Sequence, residues 1–205
     1  DTLSQAGFDI MVPLDLVQFN ATMADHETLN PVETYGREDC LGLLVGHTRD
    51  FWPTFLEAYQ AEPSRWGAEP IDRYTEELLG SATEHLTIPH QLYWSHDLGP
   101  RKVSMLHLAQ ASGWAHLGPA YLAVHPDLGP WFALRALIAL DAPASRQSAP
   151  ATDLCTACDK PCVDAFDYAM TQVSSDYHKE EDGWRHWLAV RDACPHGRSR
   201  RYGDE

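Results

Sequence analysis

The chain has 205 residues, 44% hydrophobic and 22% charged, the proportions of one ordinary globular domain with a core of its own. Its net charge of −15 argues against a nucleic-acid partner, because phosphate recognition needs neutralising Lys and Arg. No stretch approaches the roughly 18 apolar residues of a membrane span, and five cysteines, four of them grouped, favour the cytoplasm over a secreted disulfide scaffold.

Phe8 to Phe19 alternates imperfectly and predicts an extended strand leading into a short helix. Cys40 to Val45 is a short apolar run between polar flanks, read as a buried strand with Cys40 as a core thiol. Asp50 is placed to cap a helix running to Tyr59, with Pro53 tolerated in its first turn. Ile71, Tyr74, Leu78, Ala82 and Leu86 recur at steps of three and four, which predicts an amphipathic helix over 70–86. Gln91 to His96 reads as a strand, and Val103 to Leu117 as a second long helix interrupted by Gly113. Ala120–His125 and Trp131–Leu140 are apolar and joined by turn formers, so they predict an antiparallel pair at the centre of a sheet. Trp184 to Asp192 predicts a closing helix.

The pattern is α+β, with a mostly antiparallel sheet flanked by helices. It divides into a core over 1–140, a small-residue linker over 141–153, and a metal-binding segment over 154–205 whose helix packs on the core.

The metal reading rests on Cys155-Thr-Ala-Cys158-Asp-Lys-Pro-Cys162 with Cys194-Pro195 downstream. Three tight cysteines plus a distant Cys-Pro suit a 4Fe–4S cluster, whose compact inorganic core needs four sulfurs around it. Structural zinc more often uses two local pairs, and Cys194 has no near partner. Zinc, disulfides and free thiols stay open, since three residues rather than two separate Cys158 from Cys162. His107 and His116 read as packed or capped, not as ligands.

Arg135 lies inside the apolar run Trp131–Leu140, where a charge must find a partner, line a cavity or point to solvent. A cavity-lining guanidinium would take an anionic group. Arg191 has similar character, with pairing to Asp192 or near Asp182 as the alternative. His125, before Pro126, is either an acid–base group or part of a turn.

Val124-His-Pro-Asp-Leu-Gly-Pro-Trp-Phe-Ala-Leu-Arg135 resembles the His-Pro-x-x-Gly-x-Trp-Phe-Ala-Ile-Arg segment of the CblC family of cobalamin-processing proteins. Trp184-Arg-His-Trp-Leu-Ala-Val-Arg-Asp-Ala193 is similar to that family's Trp-Arg-Asp-Trp segment. Gly7-Phe-Asp, 41–45 and Leu108-Ala-Gln110 are weaker matches in the same order. The resemblance implies a flavin-nitroreductase-like fold binding cobalamin base-off. It also implies contacts from Leu122, Ala123, Val124, His125 and Trp131, with Arg135 and Arg191 holding glutathione as co-substrate. The cysteine segment departs from the vertebrate members and resembles epoxyqueuosine reductase, as does Asp176-Tyr-His-Lys179 superficially.

The expected function is reductive removal of the upper axial ligand of a corrinoid, with electrons from one cluster supplied by a donor protein or thiol. A homodimer is expected. The alternatives are a corrinoid carrier without turnover and a zinc-stapled domain without corrinoid.

Overall fold

The computed structural model describes residues 2–26, 29–144, 150–172 and 183–203. The tetrapeptide Asp176–Lys179 and part of the expected linker lie outside the described residues. The architecture is α+β: a four-stranded sheet of order β1–β2–β6–β3, antiparallel at every pairing, with helices on both faces. Here β1 is Ile10–Asp15, β2 Leu41–His47, β3 His90–Trp94 and β6 Ala133–Leu140.

Successive strand residues face opposite sides, so the central β6 supplies both cores. Leu137 and Ala139 join Leu14, Leu44 and Tyr93 under α2 (Leu16–Thr22) and α5 (Met105–Ala111). Ala136 and Ile138 join Val45, Phe8, Phe51 and Tyr74 under α3 (Phe51–Ala61) and α4 (Pro70–Thr83). Each fully buried large apolar side chain contributes about 1.5–3 kcal/mol. Cys40 is fully buried in the first of these cores, and burial pushes its thiol up to about 11.

One irregularity in this sheet matters for function. Val45 pairs with Ala136 and Gly46 with Leu134, which leaves Arg135 as the extra residue of a β-bulge. A bulge turns a side chain away from strict alternation. Arg135 consequently reaches towards α4 instead of following Leu137 into the opposite core. Gly46 makes the close approach possible, because a Cβ there would lie 2.4 Å from the Ala133 carbonyl oxygen.

Several expected elements differ. The helix expected over 103–117 stops at Ala111, because Gly113 takes φ 74° and turns the chain into a short β4, His116–Leu117. The strand expected over 120–125 shrinks to β5, Ala123–Val124. It pairs with β4 in a separate two-stranded sheet and not with β6. The intervening turn closes on itself: His125 N donates to Gly129 O at 2.9 Å and Gly129 N donates to His125 O at 2.8 Å. Asp50 accepts no side-chain capping bond; its N–H donates instead to Thr48 Oγ1.

The cysteine segment contains a helix the periodicity reading passed over, α6 (Pro161–Gln172), which pairs with α7 (Gly183–Ala193). Proline at the first helical position is pre-set for a helix start. The two helices form a third small core, in which Cys162, Ala169 and Val190 are buried with Ala120 of the β4–β5 loop. At the N-terminus, α1 is the short Thr2–Gln5 helix.

Candidate functional site

The bulge delivers Arg135 to a polar network at one end of the sheet. Arg135 Nε donates to His47 Nε2 at 3.0 Å, and Arg135 Nη1 lies 3.8 Å from Asp72 Oδ1 of α4. Asp72 also faces His96 Nδ1 at 3.4 Å, whose Nε2 is 3.0 Å from Glu76. His47 is fully buried, stacked on Phe51 with ring centroids 3.9 Å apart. Its Nδ1 lies 2.9 Å from the Thr48 carbonyl oxygen, so the proton sits on Nδ1 and Nε2 is free to accept from Arg135. Burial, with Arg135 adding to it, holds its pKa down at about 4. His47 is thus a neutral acceptor that orients the guanidinium.

Arg135 lines a cavity of about 490 Å³. His47 and Trp52 form one side, and Met105 and Leu106 of α5 another. Leu122 and Ala123 contribute the β5 wall, and Pro130 with Phe132–Leu134 the β6 wall. Two walls come from the cysteine segment: Arg191 of α7, and Tyr202 beyond it.

Burial lowers the pKa of both arginines and raises that of Tyr202. Among the described residues no carboxylate pairs with Arg191; Asp192 instead takes Arg201, at 2.7 and 3.3 Å. The buried Tyr202 hydroxyl has no hydrogen-bond partner among them either. An unmade buried hydrogen bond costs about 1–3 kcal/mol. A guanidinium and a hydroxyl without protein acceptors, beside a second guanidinium, suit an anionic or carbonyl oxygen from a ligand.

The expected site residues therefore divide. Leu122, Ala123, Arg135 and Arg191 share the cavity. Val124 is packed in the interior, and Trp131 lies beneath Tyr202, with ring centroids 6.1 Å apart. His125 is elsewhere: its Nδ1 accepts from the Asp127 and Leu128 amides at 3.1 and 3.3 Å, and its ring lies 4.6 Å from Trp114. That geometry gives it the turn role. His47 and Tyr202 were missed from sequence. A histidine ending an apolar strand was the available signal for the first; Tyr202, in a charged tail, offered none.

The thiols of Cys155, Cys158, Cys162 and Cys194 are close enough to act on one another electrostatically. All are free. Burial pushes Cys155, Cys162 and Cys194 up, and neighbouring sulfurs add to the push. Burial and their neighbours hold the three buried thiols protonated, so a thiolate-held metal centre would have to displace those protons, and no three of the four sulfurs lie within 4.8 Å of one another. Lys160 N donates to Cys158 Sγ at 3.3 Å, the kind of amide–sulfur bond that tunes such centres. His116 also belongs here. Its Nε2 lies 3.2 Å from Asp153, and His116, Asp153 and Cys155 hold their ligand atoms within 4.8 Å of one another. The reading of His116 as merely packed omitted that neighbourhood. His107, by contrast, lies 2.7 Å from Ser104 Oγ in the first turn of α5.

Backbone docking joins the two regions. Gly129 and Gly197 approach so closely that a Cβ on Gly129 would lie 2.2 Å from His196 O, and one on Gly197 2.2 Å from Leu128 O.

The architecture is therefore that of an α+β protein with an antiparallel sheet, an arginine-lined cavity and an appended four-thiol segment. The fold is shared with a crystal structure of a C. elegans B12-trafficking protein, CblC, a human MMACHC homologue: TM-score 0.67, 15% identity, over 99% of this chain and 85% of that one. No family model and no curated protein sequence matches the chain. Among the described residues no helix is long and apolar enough to cross a membrane.

Proposed function

We propose that this chain is a CblC-like protein that binds cobalamin base-off in the 490 Å³ cavity and removes its upper axial ligand reductively. The observation that carries the reading is the sharing of fold with a B12-trafficking CblC along nearly the whole chain. The convergence of Arg135 and Arg191 on one cavity supports it, as does the placement of Leu122 and Ala123 on its wall.

The chain's own residues bind and orient. Leu122, Ala123 and Phe132 present apolar surface to the corrin, and the apolar walls keep water from it. Arg135, aimed by His47 and Asp72, and Arg191 take anionic or carbonyl groups. For alkyl ligands that group is the carboxylate of glutathione: its thiolate attacks the alkyl carbon, the cobalt–carbon bond breaks, and both bonding electrons stay on cobalt. For cyanide, one electron enters cobalt and cyanide leaves with the bonding pair. Cys155, Cys158, Cys162 and Cys194 would hold a 4Fe–4S cluster, which supplies electrons one at a time from a donor protein or thiol. The same reading carries a cytoplasmic setting and a nitroreductase-like homodimer.

The test is anaerobic purification with iron, sulfide and zinc analysis, followed by titration with cyanocobalamin. A brown protein that bleaches with dithionite, shifts the cobalamin spectrum to its base-off form and releases cyanide under reductant is the expected result. Stoichiometric zinc without iron would remove the cluster, and an unshifted spectrum would remove the corrinoid. A shifted spectrum without cyanide release would leave a carrier.

A further inference from the structure

Tyr121 sits at the junction of two cavities. Its side chain lines the main cavity and also a second, open one of about 460 Å³, whose other walls include His116, Gly118, Asp153, Cys155 and Lys160. The β4–β5 turn that carries it separates the two. Gly118 N donates to Leu122 O at 2.8 Å and Tyr121 N to Gly118 O at 3.1 Å. On one side of the turn, Leu122 and Ala123 face the main cavity. On the other, Gly118 backs the Cys155 sulfur so closely that a Cβ would lie 3.1 Å from it.

The β4–β5 turn calls for a left-handed residue at position 121 and is closed here by a tyrosine, whose side chain it leaves outside the packed interior. Its backbone takes φ 53°, the left-handed region where glycine is the default and a tyrosine is strained. Its side chain is 64% exposed, touching only the Phe166 ring of α6 at 5.7 Å among its aromatic neighbours. A strained residue with an exposed aromatic ring at a cavity mouth is the combination expected of a ligand-contact position.

We propose that Tyr121 is a ligand-contact residue whose ring packs against the bound corrinoid macrocycle on the side facing the four-thiol site. The inference rests on the cobalamin reading above and adds to it a contact on the wall between ligand and metal.

The strain makes the test clean. Tyr121→Gly removes the ring and relieves the backbone, so the fold and its thermal midpoint hold. Tyr121→Phe keeps the ring and removes only the hydroxyl. With cyanocobalamin as the probe, Tyr121→Gly raises the dissociation constant about tenfold, as the loss of one aromatic packing contact would, while Tyr121→Phe binds like the parent. If the parent protein itself produces no cobalamin shift, the cobalamin reading fails. If the parent binds and Tyr121→Gly binds equally well, the ring contact is overturned. Equal losses in both variants would overturn it too, by assigning the contact to the hydroxyl.

Discussion

The sheet core and the cysteine segment are stabilised by different means. The core closes through apolar burial on both faces of β6, with Phe8, Leu16, Leu44, Phe51, Leu79 and Leu137 fully removed from solvent. Among its described residues the segment contributes just Cys162, Ala169 and Val190 as buried members of its cluster, with Ala120 of the β4–β5 loop and with Phe166 and Trp187 partly buried against them. Tyr168, Met170 and Trp184, which a self-sufficient helical pair would bury, are more than half exposed. At about 25 cal/mol per Å² of apolar surface, so small a cluster cannot offset the conformational entropy of ordering the segment. Its thiols and its backbone docking must supply the rest. A segment so held would respond to a metal bound at the proposed site while the core beneath it would not. Because Arg191 and Tyr202 belong to the segment, part of the polar lining of the cavity shares that dependence.

The most direct way to break this contrast is to disable the proposed thiol metal site. Thiolate-held structural metals contribute on the order of 10 kcal/mol in small metallo-domains. Chelation, or Cys155→Ser with Cys194→Ser, is expected to open residues 154–203 to limited proteolysis while the sheet strands keep their slow amide exchange. If the strands lose protection together with the segment, the two regions form one cooperative unit and the contrast fails.

A pH titration tests the core from the other side. His47 titrates at about 4 in the folded protein, against about 6.5 unfolded. Between those values the unfolded chain binds more protons, so stability is full above pH 6.5 and is lost as pH falls towards 4. The shift corresponds to about 3 kcal/mol, reasonable for a side chain with no solvent exposure. Equilibrium unfolding across this window should show that slope, and His47→Gln, which keeps an acceptor for Arg135 but does not titrate, should flatten it. A slope unchanged in His47→Gln would place its origin in the remaining titratable groups.

The sheet was legible where apolar runs stand between polar flanks, as in Cys40–Val45 and, Arg135 apart, Trp131–Leu140, because burial on both faces leaves little polar alternation to confuse the pattern. It was illegible where local turn geometry decides: Gly113 at φ 74° ends α5 early, and the turn after β5 bridges to itself, His125 to Gly129, instead of pairing β5 with β6. The bulge at Arg135 is a matter of register between strands far apart in sequence, which no local periodicity records. The run of cysteines drew the eye to chemistry and hid the apolar spacing of Val163, Phe166 and Ala169 that makes α6. Arg135 and Arg191 could be singled out because charge inside an apolar run is conspicuous. Their partners His47, Asp72 and Tyr202 meet them only in three dimensions.

A smaller perturbation separates docking from metal binding. Gly129 has φ 58°, and its missing side chain is what lets the 125–129 turn seat against His196–Gly197. Gly129→Ala places a methyl 2.2 Å from a backbone oxygen that has no flexible end to yield. The two backbones must part, at about 1–3 kcal/mol by analogy with overpacking elsewhere. The parting falls between Cys194, one of the four grouped thiols, and Tyr202, which lines the cavity. Metal content should therefore survive in Gly129→Ala while the cavity loosens, read as greater fluorescence quenching of Trp131 and weaker cobalamin binding, with the unfolding midpoint of the sheet almost unchanged. If metal is lost along with the docking, the thiol site cannot hold its geometry without the core, and the segment is less independent than its small apolar cluster implies.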